Sequence, residues 1–316
     1  MILKKKTKHK QRTNTYTTRA IPVYKNQLLH LTRRTSERRF FLTPNKETRQ
    51  ICEYCLATAA QKHKILVHAY IFMSNHYHLL VTDTQGRYPA FLADLNRNIA
   101  KCMNVKLGRK ENFWNSSDPG TVRIPEHMET IVKTFEYIYL NPASAFLVSH
   151  LEAYPGAKSR PGDLKGKTKM IRRPAGYFSK EGRMPAKVKL SLKIPAFCQK
   201  EKGKGEFVKD LQKKVRQEEN RLIAKVGAAR FMGRRKLKAV PPFSSPRGET
   251  ESSDLNPKVS GKSRKVLISE KSRYKNFRDQ YEDKYKLWKR GDREVVFPAG
   301  TYGMVHFHGA RVASSP

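Results

Sequence analysis

Acidic residues are scarce in this chain. Its 316 residues include 27 Asp and Glu against 65 Lys and Arg, a formal charge of +38 with a pI near 10.2. That imbalance exceeds what solubility alone requires and points to a polyanionic partner, nucleic acid first. Long hydrophobic runs are also missing: no stretch approaches the roughly 18 apolar residues of a membrane span. The N-terminus, MILKKKTKHKQRT, is basic with no apolar segment behind it, so it does not read as a secretory signal. The four cysteines are unevenly spaced, which excludes a disulfide framework. Together these absences suggest a reducing compartment, no membrane and a nucleic-acid partner. With 38% apolar residues and a mean hydropathy of −0.71, part of the chain is expected to be loosely packed or extended.

Both halves are basic, with 26 basic and 11 acidic residues in 1–160 and 39 and 16 in 161–316. Clean apolar periodicity, however, lies almost entirely between residues 20 and 155. The expected organisation is a basic disordered arm (1–19), a folded domain (20–156), a Lys/Gly/Pro-rich basic linker (157–205) and a basic, partly helical, partly disordered extension (206–316). In the folded domain, a strand beginning over 28–31 leads into the basic corner Arg33-Arg34-Thr35-Ser36-Glu37-Arg38-Arg39. Asn45 is placed to cap a helix over 46–63. ILVHAYIFM (65–73) and HYHLLVT (76–82) read as two strands joined by Ser74-Asn75. Helices follow over 88–107 and 126–140, the second ended by Asn141-Pro142, with a short strand over 121–124 between them. Hairpin strands between helices give an α+β class with an antiparallel sheet. In the extension, helices are expected over 206–230 and 273–290, the second carrying Phe277, Tyr281, Tyr285 and Trp288 on one stripe, with a Pro/Ser/Gly-rich loop over 240–262.

Two short patterns carry chemistry. His76 and His78 alternate along a strand, so they share a face about 7 Å apart, a spacing at which two imidazoles can chelate one metal. A pair of half-buried strand histidines satisfies the spacing equally well, and the chain holds a second such pair at His306 and His308. Tyr137 and Asn141 stand four residues apart, on one helical face if the last turn holds. A phenol can attack phosphorus and an amide oxygen is a hard ligand for a divalent cation, although a packed tyrosine and a helix-capping asparagine fit the same spacing. Cys52 and Cys55, with Cys102 and Cys198 distant, read as core residues rather than a zinc site.

Taken together, His68-Ala69-Tyr70-Ile71-Phe72-Met73-Ser74-Asn75-His76-Tyr77-His78-Leu79-Leu80-Val81 and Tyr137-Ile138-Tyr139-Leu140-Asn141-Pro142 resemble the single-tyrosine HUH (IS200-like) transposases, in particular their REP-associated tyrosine transposase branch. Leu31-Thr32-Arg33-Arg34, Phe113-Trp114, Ala145-Phe146-Leu147-Val148 and Tyr154-Pro155 add to the likeness, which spans roughly residues 20–160. The resemblance implies a ferredoxin- or palm-like HUH nuclease fold, with a four- or five-stranded antiparallel sheet and flanking helices. It implies His76, His78 and Asn141 as ligands of Mg²⁺ or Mn²⁺, Tyr137 as nucleophile, and Tyr139 as a bystander. The implied activity is transposition through metal-dependent nicking and joining of single-stranded DNA, probed best with hairpin DNA, by way of a 5′-phosphotyrosine. Dimers and a prokaryotic, cytoplasmic, nucleoid-associated location are implied as well. Arg33, Arg34, Arg38, Arg39 and Trp114 are the candidate DNA contacts. The C-terminal half, lacking a coherent catalytic set, is expected to add affinity rather than chemistry. The competing reading is a non-catalytic DNA- or RNA-binding protein on the same fold; a ribosomal-type structural protein would have no reason to hold the four site residues together.

Overall fold

The structure is a computed structural model that describes residues 20–116, 120–179, 181–246, 259 and 264–314; the basic arm expected over 1–19 and most of the loop expected over 240–262 lie outside the described residues. The chain divides into two compact units, residues 23–271 and residues 1–22 with 272–316.

In the larger unit, four strands form one antiparallel sheet: β1 (Gln27–Arg34), β2 (Ile65–Phe72), β3 (His76–Asp83) and β4 (Gly120–Arg123), in the order β2-β3-β1-β4. The protein is therefore α+β with a four-stranded antiparallel sheet and flanking helices, as the sequence pattern suggests. The β2–β3 hairpin closes through the two-residue Ser74-Asn75 turn, with the Met73 N–H donating to the His76 carbonyl at 2.8 Å. Helix α1 (Lys46–His63) starts where Asn45 accepts from the Thr48 N–H at 2.8 Å. It packs with α2 (Tyr88–Lys106) over one face of the sheet. On that face Tyr70 donates to Glu53 of α1 and Tyr77 donates to Asn96 of α2. Helix α3 (Met128–Ser144) packs against β2 and β3.

The expected stop at Asn141-Pro142 is corrected. Helix α3 continues through the proline to Ser144. Proline removes one donor and disfavours a helical residue before it. Here the ring and Ala143 are buried, and the Ala145 N–H closes the last turn on the Asn141 carbonyl at 3.1 Å. Tertiary burial thus overrides a local preference, and Asn141 remains helical.

The stretch expected to be a linker is corrected too. Residues 168–172 (β5, Thr168–Arg172) and 187–191 (β6, Lys187–Ser191) pair as a hairpin against α1. Val188, Leu190, Leu192 and Ile194 are all buried in the main core. Tyr54 and Gln61 of α1 donate to the carbonyls of Pro185 and Lys189 at 2.6 and 3.0 Å. With the sheet on one side and this hairpin on another, α1 is buried over the consecutive run Ile51–Ala57, which explains its lack of a polar stripe. Helices α4 (Ala196–Lys202), α5 (Lys204–Val226) and α6 (Arg234–Ala239) follow. Phe207, Val208, Leu211 and Val215 of α5 and Leu237 of α6 join the same core, Phe207 meeting Phe135 of α3 edge-on. All four cysteines are buried free thiols.

Helix α7 (Arg264–Lys289) leads into the smaller unit, whose described part is completed by β7 (Val296–Phe297), α8 (Gly303–His308) and β8 (Arg311–Val312). Its core is small: Val295, Phe297, Met304 and Ala310, against which Tyr281, Tyr285 and Trp288 pack. His306 and His308 lie exposed on α8, where residues two apart point about 200° apart, not on a strand face.

A β-bulge between Val67 and Ala69 turns His68 inward, where it is fully buried. Its Nδ1 lies 2.6 Å from the Lys193 carbonyl and its Nε2 lies 2.8 Å from Thr82 Oγ1. A carbonyl only accepts, so Nδ1 donates and Nε2 receives the hydroxyl proton. Burial pushes the imidazole down to about 4. The unfolded chain binds the proton near the ordinary 6.5 and the folded chain does not, so stability is full above that value and falls as pH drops from 6.5 toward 4. The contribution is about 3 kcal/mol. Denaturant unfolding at pH 7 and pH 5 is expected to show about 2 kcal/mol of this loss, with a shallower slope in His68→Gln; an unchanged slope would contradict the assignment. A chain truncated after residue 160 would lose Val188, Leu190, Phe207, Val208 and Leu211 from the core. It is expected to lack a cooperative melting transition, whereas a sharp transition would show that 1–160 folds alone.

Candidate active site

The register of the β1–β3 ladder builds the site. Arg34 pairs with His76 and Thr32 with His78, while Leu80 pairs with His30. Period-2 alternation then puts His30, Thr32 and Arg34 of β1 on the same sheet face as His76 and His78 of β3. Gly120 of β4 lies opposite Thr32, where a Cβ would come 2.2 Å from Thr32 Oγ1, so glycine allows this close pairing. Helix α3 brings Tyr137 to the same place. The Tyr137 ring meets His78 at 5.2 Å and His30 at 5.7 Å between centroids, both edge-on, and the His76 and His78 rings are 4.8 Å apart. The Asn141 side chain stands close enough to His76 and Tyr137 to act on both. Residues expected on two separate patterns, His76 and His78 on one hand and Tyr137 and Asn141 on the other, thus stand together.

His76, His78 and Tyr137 line a cavity of about 600 Å³. Arg33, Arg34 and Arg38 form its basic side, and Met232, Leu237, Val240 and Pro246 form an apolar wall. Part of the C-terminal half, expected to add affinity rather than chemistry, thus borders the cavity itself. Residues 232–246 are fastened over the site by backbone: the Met232 and Gly233 N–H groups donate to the Phe146 and Leu147 carbonyls at 2.8 and 2.9 Å, and the Phe40 N–H donates to Ser244 at 2.9 Å. No local pattern in the sequence could reveal contacts between positions so far apart.

The expected basic contacts separate. Arg34 and Arg38 border the cavity. Arg33 also borders it, and donates to the Asn115 carbonyl at 2.7 Å. Arg39 pairs with Glu37 at 2.9 Å and donates to the Phe243 carbonyl, so it anchors the apolar wall. Trp114 does not reach the surface as expected: it is 9% exposed, packs edge-on against Tyr77, and its indole N–H donates to the Asn96 carbonyl at 2.9 Å. Tyr139, two residues past Tyr137 and so about 200° around the helix, is fully buried beside Phe135. Tyr137 itself is 55% exposed.

His30 was not expected in the site. Its signal was available: in Leu29-His30-Leu31-Thr32-Arg33-Arg34 the residues His30, Thr32 and Arg34 alternate as one strand face. Burial holds His30 at about 4. Burial likewise takes His76 to about 4, with the Asn141 hydrogen bond opposing and Arg34 assisting. His78 lies well below the ordinary histidine value through burial and its neighbours His76 and His30. All three are neutral at pH 7, the form that binds a metal. Nε2 of His78 is buried and has no hydrogen-bond partner. An unpaired lone pair beside a second neutral imidazole and an amide suits a divalent cation. Among the described residues no three His, Cys, Asp or Glu side chains are grouped to hold a metal ion; Asn141 adds a hard oxygen donor beside the two imidazoles.

No family model matches the chain, and no curated protein matches it. Among solved structures, the chain is similar to one of the REP-associated tyrosine transposase bound to a REP hairpin, at 14% identity and a TM-score of 0.38, covering 52% of this chain and 89% of that one. It is also similar to the structure of a Deinococcus radiodurans R1 protein described as a transposase, at 21% identity and a TM-score of 0.27, covering 36% and 89%. Likeness at these scores settles neither fold nor chemistry, which rest on the sheet and the site themselves.

Burial holds the Tyr137 phenol above its ordinary value, and Asn141 opposes that shift. Asn141→Ala is therefore expected to move the Tyr137 titration upward, as followed by NMR of ring-labelled tyrosine; an unmoved midpoint would show that the amide does not act on the phenol.

Proposed function

We propose that the protein is a transposase that nicks and joins single-stranded DNA, hairpin-bearing DNA included, with Tyr137 as the nucleophile and His76, His78 and Asn141 as ligands of Mg²⁺ or Mn²⁺. The observation that carries this reading is the meeting of an exposed phenol and two neutral imidazoles on one cavity with a basic side, with an amide beside them. A non-catalytic nucleic-acid binder needs the arginines but not that constellation. When bound, the cation supplies polarisation of the scissile phosphate and offsets the charge that develops on it.

The chain's own residues do the rest. Arg34 and Arg38 attract and seat the DNA phosphates in a salt-sensitive way. Tyr137 Oη attacks the phosphorus, the P–O3′ bond breaks, and the departing oxygen ends as a free 3′-hydroxyl with a proton replacing the one the phenol has lost. The 5′-phosphate remains esterified to Tyr137. Because the phosphodiester energy is retained, a second 3′-hydroxyl can attack it and restore both the DNA bond and the phenol without ATP. A free phenol near pKa 10 costs roughly 4 kcal/mol to ionise at pH 7. Burial raises that cost at Tyr137, and Asn141 offsets part of the rise. Tyr139, buried and turned away, has no access to phosphate. Such an enzyme would work on the nucleoid of a prokaryotic cytoplasm, as a homodimer; no helix among the described residues is long and apolar enough to cross a membrane.

Incubation with end-labelled single-stranded hairpin DNA and Mn²⁺ tests the reading on a denaturing gel. Wild-type protein is expected to give a covalent adduct. Tyr137→Phe, which keeps the ring and removes only the attacking oxygen, is expected to bind DNA and give none, while Tyr139→Phe keeps it. DNA binding without an adduct in the wild type would favour the non-catalytic reading, and an adduct mapped to Tyr139 would overturn the assignment of the nucleophile.

A further inference from the structure

We propose that His30 and Asn75 are positioning residues that hold His78 and His76 in the one tautomer whose Nε2 lone pair is open to a cation. This rests on the metal reading above. A neutral imidazole has one N–H and one lone pair, so whatever occupies Nδ1 decides what Nε2 can do.

For His76 the neighbours decide the matter. Its Nδ1 lies 2.7 Å from Asn75 Oδ1. The Asn75 amide could be turned either way, but its Nδ2 donates to the Arg38 carbonyl at 3.2 Å, which points Oδ1 at the ring. An amide oxygen only accepts. Nδ1 of His76 therefore carries the proton and Nε2 keeps its lone pair. Glu37 and Arg38 adopt φ of 50° and 58°, a left-handed backbone that non-glycine residues seldom take. That corner delivers the Arg38 carbonyl to Asn75, and the Thr35 N–H and hydroxyl hold the Asn75 carbonyl at 2.8 and 3.0 Å.

For His78 the partner is another imidazole. Its Nδ1 lies 3.1 Å from His30 Nε2, with the rings stacked 5.2 Å apart. This contact alone permits the proton on either nitrogen. The other end of His78 breaks the tie. Its Nε2 is buried and unpartnered, and a buried N–H left without an acceptor is the rarer and costlier arrangement. His78 therefore donates from Nδ1 to His30, and its Nε2 holds a lone pair beside that of His76. Both imidazoles are set alike by separate devices, one on the β2–β3 turn and one on β1.

Two measurements on the full-length protein test this. The first needs no metal: long-range ¹H–¹⁵N spectra of the histidine rings in metal-free protein are expected to show His76 and His78 as Nδ1–H tautomers. In folded His30→Leu, His78 is expected to shift toward Nε2–H. The second is Mn²⁺ titration calorimetry. His30→Leu is expected to bind Mn²⁺ about 10- to 100-fold more weakly. His30→Gln, whose amide oxygen can take the place of the accepting Nε2, is expected to recover most of that loss, which a purely packing role would not require. An Nε2–H tautomer at His78 in the wild type, or undiminished Mn²⁺ affinity in His30→Leu, would overturn the proposal; if that variant does not fold, the wild-type spectrum and His30→Gln still decide. Wild-type protein that binds Mn²⁺ no better than His78→Ala would instead overturn the metal reading, and the metal-free spectrum would separately accept or reject the tautomers.

Discussion

Thr32 opposite His78 and Arg34 opposite His76 is the pairing on which the site depends. A slip of one residue along the β1–β3 ladder would turn His76 and His78 to the face covered by α1 and α2, and would send Tyr77 toward α3. Contacts on each neighbouring strand fix which face of the sheet is turned to the helices. Tyr77 reaches Asn96, Tyr70 reaches Glu53, and Gly120 admits Thr32 where any side chain would collide. The apolar residues of β2 and β3, buried on both faces, add the hydrophobic stabilisation that a shifted ladder would forfeit. A rigid sheet of this kind is what can keep polar groups within a hydrogen bond of one another while their partners are removed from water.

On that frame α3 acts as the second half of the site. Its continuation through Pro142 keeps Asn141 on the same helical face as Tyr137, so one amide reaches both the phenol and His76. The histidines are neutral because they are desolvated, and residues 232–246 line the cavity that His76 and His78 share. Remote sequence thus borders the local chemistry: the apolar wall faces the same cavity as the imidazoles, and Arg39 holds the wall in place through the Phe243 carbonyl. The basic side provided by Arg34 and Arg38 then acts on a phosphate in a less polar setting than open solvent, where its attraction is stronger.

Much of this was legible in the chain itself because it is local. The hairpin, the shared face of His76 and His78, the Asn45 cap and the opposed directions of Tyr137 and Tyr139 follow from periods of 2 and 3.6. Other features were present but easily passed over. Val188, Leu190, Leu192 and Ile194 alternate as a buried strand does, yet lie among lysines that make the segment read as a linker. His30, Thr32 and Arg34 alternate in the same manner. What could not be read was non-local: residues 232–246 as the cavity wall, Trp114 turned into the core against Tyr77, and the proline accommodated within α3. In each case tertiary burial outweighs a preference stated over a few residues.

The central claim is that His76, His78 and Asn141 make one cation site beside the Tyr137 hydroxyl. The most direct measurement is anomalous diffraction from crystals of the protein grown with Mn²⁺. The account predicts one strong manganese peak within coordinating distance of Nε2 of both histidines and of the Asn141 amide oxygen, lost in His78→Ala. Manganese bound elsewhere on the chain, or at this place through Nδ1, would contradict it.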